Sequence, residues 1–246
     1  MTTVAAHDAT LTGRAGSVRA GERTAFSEWG SLYRVGGWAA LAVLALVPIQ
    51  MIVFFVWPPP TSVIGWFELL QANALVGLLD MDLLMIVDYG LLALFFLALY
   101  VVLRRTSPSF AAIALTAELL AIAAYFASTT PFEMLTLSGQ YASAVTDAER
   151  LSALSAGQAT YAVWQGTAFS VSYILSAAAA LIASVLMLRS SVFGRATAYA
   201  GILMGVAGLV PPTVGALGLV MSLVSLVPMW VWLFLAGRKL LQLARG

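Results

Sequence analysis

Two carboxylates stand at the start of one of the most apolar stretches of the sequence. The segment MDLLMIVDYG carries Asp82 and Asp88, and it continues as LLALFFLALYVVL up to Arg104 and Arg105. Placing a carboxylate in the centre of a membrane span costs about 3 kcal/mol or more. An acid kept in such a stretch is by default a candidate for binding or proton chemistry, so Asp88 is the first candidate site residue.

The composition defines the environment in which these acids must work. Hydrophobic residues make up 61% of the 246 residues and charged residues only 9%, against about 25% in soluble domains. Together with a mean hydropathy of +0.95, these values indicate an integral membrane protein. The net charge of +1 provides no basic surface of the kind that nucleic acid requires, so the expected partner is the lipid bilayer and not nucleic acid.

The residue types present argue against several kinds of site. Cysteine is absent, and the single histidine, His7, lies in the polar N-terminal segment. Haem, zinc and di-iron sites need thiolate or imidazole ligands from the bundle, so neither a metal nor a cofactor is expected. The motifs HExxH, GxSxG, GxGxxG and the P-loop are also missing. The only lysine, Lys239, follows Arg238 at a helix end, which excludes a Schiff base in mid-membrane.

Six hydrophobic segments are long enough to cross a membrane, which takes about 20 residues each. They predict an all-α membrane protein with a single transmembrane domain over 25–246, after a disordered cytoplasmic tail over 1–24. A short interfacial helix is expected before the first span, because four apolar residues there recur at helical spacing: Phe26, Trp29, Leu32 and Tyr33. The six spans are predicted at 35–57, 83–103, 110–128, 167–188, 197–214 and 219–237.

The distribution of basic residues predicts the orientation of these spans. Eleven of the twelve lysines and arginines fall on one side of the predicted membrane, and only Arg150 falls on the other. By the positive-inside rule both termini are cytoplasmic.

The two long outer connections are expected to be partly ordered. We expect 58–80 to lie in the outer interface, because Trp57, Trp66 and Phe67 are typical of that level. In 129–166 we predict a helix capped by Thr146 and Glu149 that ends at Gly157.

The depth of a residue in the membrane follows from its distance along the helix from the cytoplasmic end, at 1.5 Å per residue. By this measure every span has a polar side chain or a proline at the same depth, which defines a layer. The layer lies ~23 Å up a core of ~30 Å, with Pro211 on the fifth span. Its other members are Gln50, Tyr125, Tyr173 and Ser222. We expect Gln50, Tyr125 or Tyr173 to hydrogen-bond a protonated Asp88, in a ligand or proton site or in a purely structural network. The alternative is an ionised Asp88 paired with Arg150 or water.

Other acids lie below and above this layer. Glu118 lies deeper, and we expect it to be protonated because no basic residue shares its depth. Asp80 and Asp82 are expected at a hydrated outer boundary. The outer mouth is assigned to Asp82, Arg150, Glu133 and Gln165.

Small residues on the fifth span suggest how helices pack there. Gly201, Gly205 and Gly208 form one face, which favours close helix packing within the chain and also allows a homo- or hetero-oligomer.

Three stretches of the sequence, 65–109, 123–175 and 187–215, resemble a bacterial membrane family described only as an integral membrane domain of unknown function. The similarity covers about 34–244 and is most specific at Glu133–Gln140 and Trp164–Tyr173. It implies a protein of the bacterial cytoplasmic (inner) membrane and no particular activity. Family members often carry Asn where this chain has Tyr89, which argues against a strict catalytic role for Tyr89.

Three functional hypotheses follow from these features. The first is an outward-facing polar pocket that binds a small amphipathic or lipid-like molecule, in a sensor or a transporter. The second is a structural or accessory subunit of a membrane complex. The third is a membrane hydrolase that uses Asp88 or Glu118, which would need a second carboxyl group within hydrogen-bonding reach.

Overall fold

The computed structural model describes residues 28–245, and all regular secondary structure in that range is helical. The disordered tail predicted over 1–24, and Phe26 of the predicted interfacial helix, lie outside the described residues. The helices are α1 Gly30–Val56, α2 Val63–Ala72, α3 Ala74–Asp80, α4 Leu83–Leu103, α5 Pro108–Ser128, α6 Pro131–Ser143, α7 Asp147–Trp164, α8 Thr167–Arg189, α9 Arg195–Ala207, a 3-10 turn Pro212–Val214, and α10 Gly215–Leu243.

Five helical stretches of the described chain are long and apolar enough to cross a membrane, which confirms the all-α, multi-pass class. Two of them are single helices, α1 and α4. The other three are α5 together with α6, α7 together with α8, and the 3-10 turn together with α10. The span expected over 197–214 is not among these five stretches. The helix found there, α9, is only 13 residues long and ends at Ala207. That length falls short of the about 20 residues needed to span.

The first helix is longer than the sequence suggested. Leu32 and Tyr33 belong to α1, which runs without a break from Gly30 to Val56. The prediction of a separate interfacial helix is therefore wrong for its described residues. The apolar character of the segment simply continues the span toward the N-terminus.

The bundle has one large apolar core, which joins α1, α4, α8 and α10. Phe95 on α4 meets Trp232 on α10 edge-on, with ring centroids 5.2 Å apart. Tyr33, Leu99 and Leu240 are fully or almost fully buried in the same core. This core packs the first described helix, α1, and the last, α10, together.

The glycines of α9 allow it to lie directly against α8 and α10. A Cβ on Gly201 would overlap Ser184 and Trp232, and one on Gly205 would lie 3.1 Å from the carbonyl oxygen of Ala177. All three glycines of this face are buried within the single chain. A second chain could dock on this face only if that packing opened.

Gly201→Ala should lower stability by about 1–3 kcal/mol, because the added methyl overpacks the contact with Ser184 and Trp232. Gly90→Ala is the matched control, since Gly90 is also helical and nothing lies within 4 Å of its added Cβ. It should be neutral or stabilising, as alanine favours helix. Thermal unfolding in one detergent would check this, and equal loss in both variants would contradict it.

The two long connections form a helical cap with its own hydrophobic core. The cap comprises α2, α3, α6 and α7, and its core is separate from that of the bundle. Trp66 and Phe67 are buried in it and do not face outward as interfacial side chains would, whereas Trp57 is exposed. The buried residues of the cap core are Trp66, Phe67, Leu70, Met81, Met134 and Trp164.

The longest cap helix, α7, starts as predicted and ends later. The capping box is confirmed: Thr146 Oγ1 accepts from the Glu149 N–H, and Glu149 accepts from the Thr146 N–H. The predicted end at Gly157 is wrong, because α7 continues to Trp164. An added Cβ on Gly157 would clash with Phe67, so this glycine serves close packing of α7 on α2.

Candidate functional site

A cavity of about 180 Å³ opens where the cap meets the bundle. We call it the cap-side cavity. Thr213 on its wall shares a hydrogen bond of 2.9 Å with Ser170 on α8, which links the 3-10 turn to α8. Its lining residues are Asp82, Trp164, Gln165, Phe169, Pro212 and Thr213.

Asp82 is placed on the cavity wall by an uncommon backbone conformation. It has φ 64°, the only positive φ of a non-glycine residue in the described chain, and Asp tolerates this left-handed region better than most residues. The turn directs the carboxylate to the end of α7, where Trp164 Nε1 donates to Asp82 Oδ2 at 3.1 Å. This hydrogen bond thus joins the residue that precedes α4, Asp82, to the last residue of the cap helix α7, Trp164.

A second acid, Asp80, lies nearby and is fully buried. Neither of its carboxyl oxygens has a hydrogen-bond partner among the described residues. Burial raises the pKa of Asp80 to about 6. Burial also raises the pKa of Asp82 to about 7, with Asp80 adding to the effect and the Trp164 hydrogen bond opposing it. The prediction that hydration stabilises both acids is therefore wrong for Asp80.

Stability should fall as the pH rises from about 4 to about 7. The folded state binds more protons than the unfolded state in this window, because the pKa values of Asp80 and Asp82 are raised above their usual value near 4. The stability that these two protonated carboxyls contribute is fully present below about pH 4 and is lost above about pH 7. Thermal midpoints at several pH values should show a smaller slope for Asp80→Asn and an unchanged slope for Glu133→Gln, which alters an exposed carboxylate.

Beneath the cavity, an aromatic cluster leads into the bundle. Phe169 lies 6.5 Å from Tyr125 and 6.4 Å from Tyr173, measured between ring centroids. Tyr125 stacks on Tyr89 at 3.9 Å with an interplanar angle of 4°. Tyr173 donates to Ser222 at 2.9 Å. Two members of the predicted layer are thus bonded to each other, and a third lies beside them.

The other two polar members of the layer, Asp88 and Gln50, are not bonded to each other or to the rest of it. Asp88 is 2% exposed, and neither of its oxygens has a hydrogen-bond partner among the described residues. Gln50 donates instead to the carbonyl oxygen of Leu79 at 3.0 Å, which ties α1 to α3. The expected hydrogen bond from Asp88 to Gln50, Tyr125 or Tyr173 is therefore absent.

Glu118 lies fully buried on α5. Ser176 on α8 donates to its Oε2 at 2.9 Å, while Oε1 has no partner in the described part of the chain. Sequence reasoning missed Ser176, although it follows Tyr173 by three residues and therefore shares its helix face. No second carboxyl group approaches Asp88 or Glu118 within hydrogen-bonding distance among the contacts of 28–245.

The predicted outer mouth is only partly assembled. Asp82 and Gln165 line the cap-side cavity, whereas Arg150 and Glu133 are exposed on the cap and do not. Sequence reasoning missed Trp164, Phe169 and Thr213, because their positions depend on how the cap docks. Within 28–245 no group of three potential ligands could hold a metal ion.

No family model, curated protein or solved structure matches this chain. The fold and the site define a class: a multi-pass α-helical membrane protein that carries a helical cap over a small cavity of mixed polarity.

Proposed function

We propose that this chain is a bacterial inner-membrane protein whose cap-side cavity binds a small amphipathic or lipid-like molecule, as a sensor or a transporter. The observation that carries the proposal is the composition of the cavity wall. Asp82, Gln165 and Thr213 offer polar groups, while Trp164, Phe169 and Pro212 offer apolar surface. Concave sites of mixed polarity with few polar groups are typical of small-molecule binding. The resemblance to a bacterial membrane family supports the location.

The position of the cavity also favours an amphiphile. Its polar wall lies at the start of α4 and beside the cap, and Phe169 on its wall continues into the aromatic cluster with Tyr125 and Tyr173. A ligand with one polar end and one apolar end matches this gradient. At about 180 Å³, the cavity admits the head of such a molecule more readily than the whole of it.

The proposal is tested by mass spectrometry of the small molecules that purify with the protein. Thr213→Trp should fill the cavity and abolish retention of an amphiphile that the wild type carries. Gln158→Trp is the matched control, since it adds the same ring at an exposed position of α7. Retention of nothing by the wild type, or of the same molecules by all three proteins, would contradict the proposal.

We propose further that the chain crosses the membrane six times with both termini cytoplasmic. In this arrangement α9 and residues 208–214 form the short fifth pass. Its support is the burial of the α9 glycine face against α8 and α10 and the eleven-to-one distribution of basic residues.

Cysteines introduced at Ser155 and Ser191 should react from opposite sides of the membrane. Both positions are exposed, the first on the cap and the second between α8 and α9, and the chain has no native cysteine. An impermeant maleimide applied to intact spheroplasts should label only the Ser155→Cys protein. Labelling of both variants from the outside would contradict the proposed topology.

A further inference from the structure

A second cavity shares no lining residue with the cap-side cavity. It is an open groove of about 380 Å³ between the first half of α1 and the middle of α4. Its walls are apolar except for one residue, Arg34. The lining residues are Arg34, Val35, Trp38, Ala39, Ala42, Leu91 and Leu94.

The shape of this α1–α4 groove follows from residue sizes. Gly36 lets α1 approach α4 closely, since an added Cβ would overlap Ala98. Further along α1, Ala39 and Ala42 are too small to fill the space that opens beside Leu94. Trp38 stands at the side of the groove with 62% of its surface exposed. The result is an open apolar groove rather than a closed pocket.

The charges at the groove identify what could occupy it. Arg34 is exposed, forms no ion pair with any described residue, and has no acidic neighbour in the groove lining. Arg104 lies at the same end, with its guanidinium 5.2 Å from the Trp29 ring centroid and 5.9 Å from that of Tyr100. Basic residues beside grooves between membrane helices attract the headgroups of anionic lipids.

We infer that the α1–α4 groove is a binding site for an anionic phospholipid. The headgroup phosphate pairs with Arg34, and one acyl chain lies along Ala39, Ala42 and Leu94. Trp38 packs along the chain near the headgroup, a level at which tryptophan is commonly found. This site is separate from the cap-side cavity and does not depend on the function proposed for it.

Native mass spectrometry of the full chain tests the site, with phosphatidylglycerol and phosphatidylcholine of identical acyl chains as probes. The wild type should bind phosphatidylglycerol more tightly. Arg34→Gln should weaken that binding about five-fold, the effect expected for one basic residue near the headgroups. It should weaken phosphatidylcholine binding less, because the choline cation offsets the charge of that lipid's phosphate. Arg195→Gln is the matched control, because it removes a charge from an exposed residue that does not line the groove.

A second pair of variants tests the apolar part of the groove. Ala42→Phe should weaken binding of both lipids because its ring fills the groove, and Ala42→Leu should do so to a smaller extent. Ala112→Phe adds the same ring at an exposed position of α5 and should bind like the wild type. Unfolding midpoints would show that each variant folds.

Three outcomes would overturn the inference. Equal lipid binding by Arg34→Gln and Arg195→Gln would show that no specific headgroup site exists. Unchanged binding by both Ala42 variants would show that the acyl chain lies elsewhere. A dimer that dissociates in Ala42→Phe, without any change in lipid binding, would make the groove an interface between two copies of the chain.

Discussion

Trp66→Ala should unfold the cap while the transmembrane core stays assembled. Trp66 is fully buried at the centre of the cap core, where it meets Trp164 edge-on at 5.6 Å. Removing a large buried aromatic side chain typically costs 3–5 kcal/mol. Small units of structure rarely have that much stability to spare, and the separate core of the bundle contains no residue of the cap.

Limited trypsin digestion would measure this effect directly. Arg150 is the only lysine or arginine between Arg105 and Arg189, and it lies exposed in the first turn of α7. Cleavage there requires local unfolding of the cap, so Trp66→Ala should be cut at Arg150 much faster than the wild type. Trp57→Ala, which truncates a half-exposed tryptophan outside the cap core, should be cut at the wild-type rate.

Two results would argue against a separately folded cap. Equal cleavage of Trp66→Ala and Trp57→Ala would show that the Trp66 core adds nothing to local stability. Loss of the whole fold in Trp66→Ala, seen as aggregation in detergent, would show that cap and bundle unfold together.

The long spans were predictable because hydrophobic length alone determines them. The prediction 83–103 coincides with α4, Leu83–Leu103, and Arg104 and Arg105 mark its end. The cap was not predictable in the same way. An apolar run such as 58–80 has the same composition whether its aromatic side chains face lipid or pack into a small core, and only the contacts of Trp66 show that they pack.

Glycine was ambiguous for a related reason. A glycine near the end of a helical pattern commonly ends the helix, which led to the prediction at Gly157. It also occurs where a neighbouring side chain needs the space of the missing Cβ. Phe67 occupies that space. The sequence of 146–157 alone does not indicate that a residue so distant in the chain packs there.

The polar layer shows what depth alone can predict. Counting residues along each span gives the height of a side chain but not the direction it faces around the helix. Tyr173 and Ser222 share both height and direction, and they are bonded. Gln50 and Asp88 were assigned the same height, yet Gln50 bonds the backbone at Leu79. Hydrogen-bond partners depend on the helix rotation, which packing determines.

Asp88→Leu should leave the protein as stable as the wild type or more stable. No described residue donates a hydrogen bond to its carboxyl, so removing it leaves no protein group unpaired. A buried carboxyl without a partner is itself unfavourable. We expect a gain of up to about 2 kcal/mol, or a rise of about 4–8 °C in the unfolding midpoint for a chain of this size.

Gln50→Leu is the matched control for Asp88→Leu, since Gln50 is equally buried and polar but has a partner. It should lose about 1 kcal/mol, because the carbonyl oxygen of Leu79 is left without its donor. Midpoints measured in one detergent would separate the two. A loss in Asp88→Leu as large as that in Gln50→Leu would show that the Asp88 carboxyl stabilises the fold. A gain that accompanies loss of the retained amphiphile would instead assign Asp88 to function, because an acid that weakens the fold but supports binding is kept for the binding.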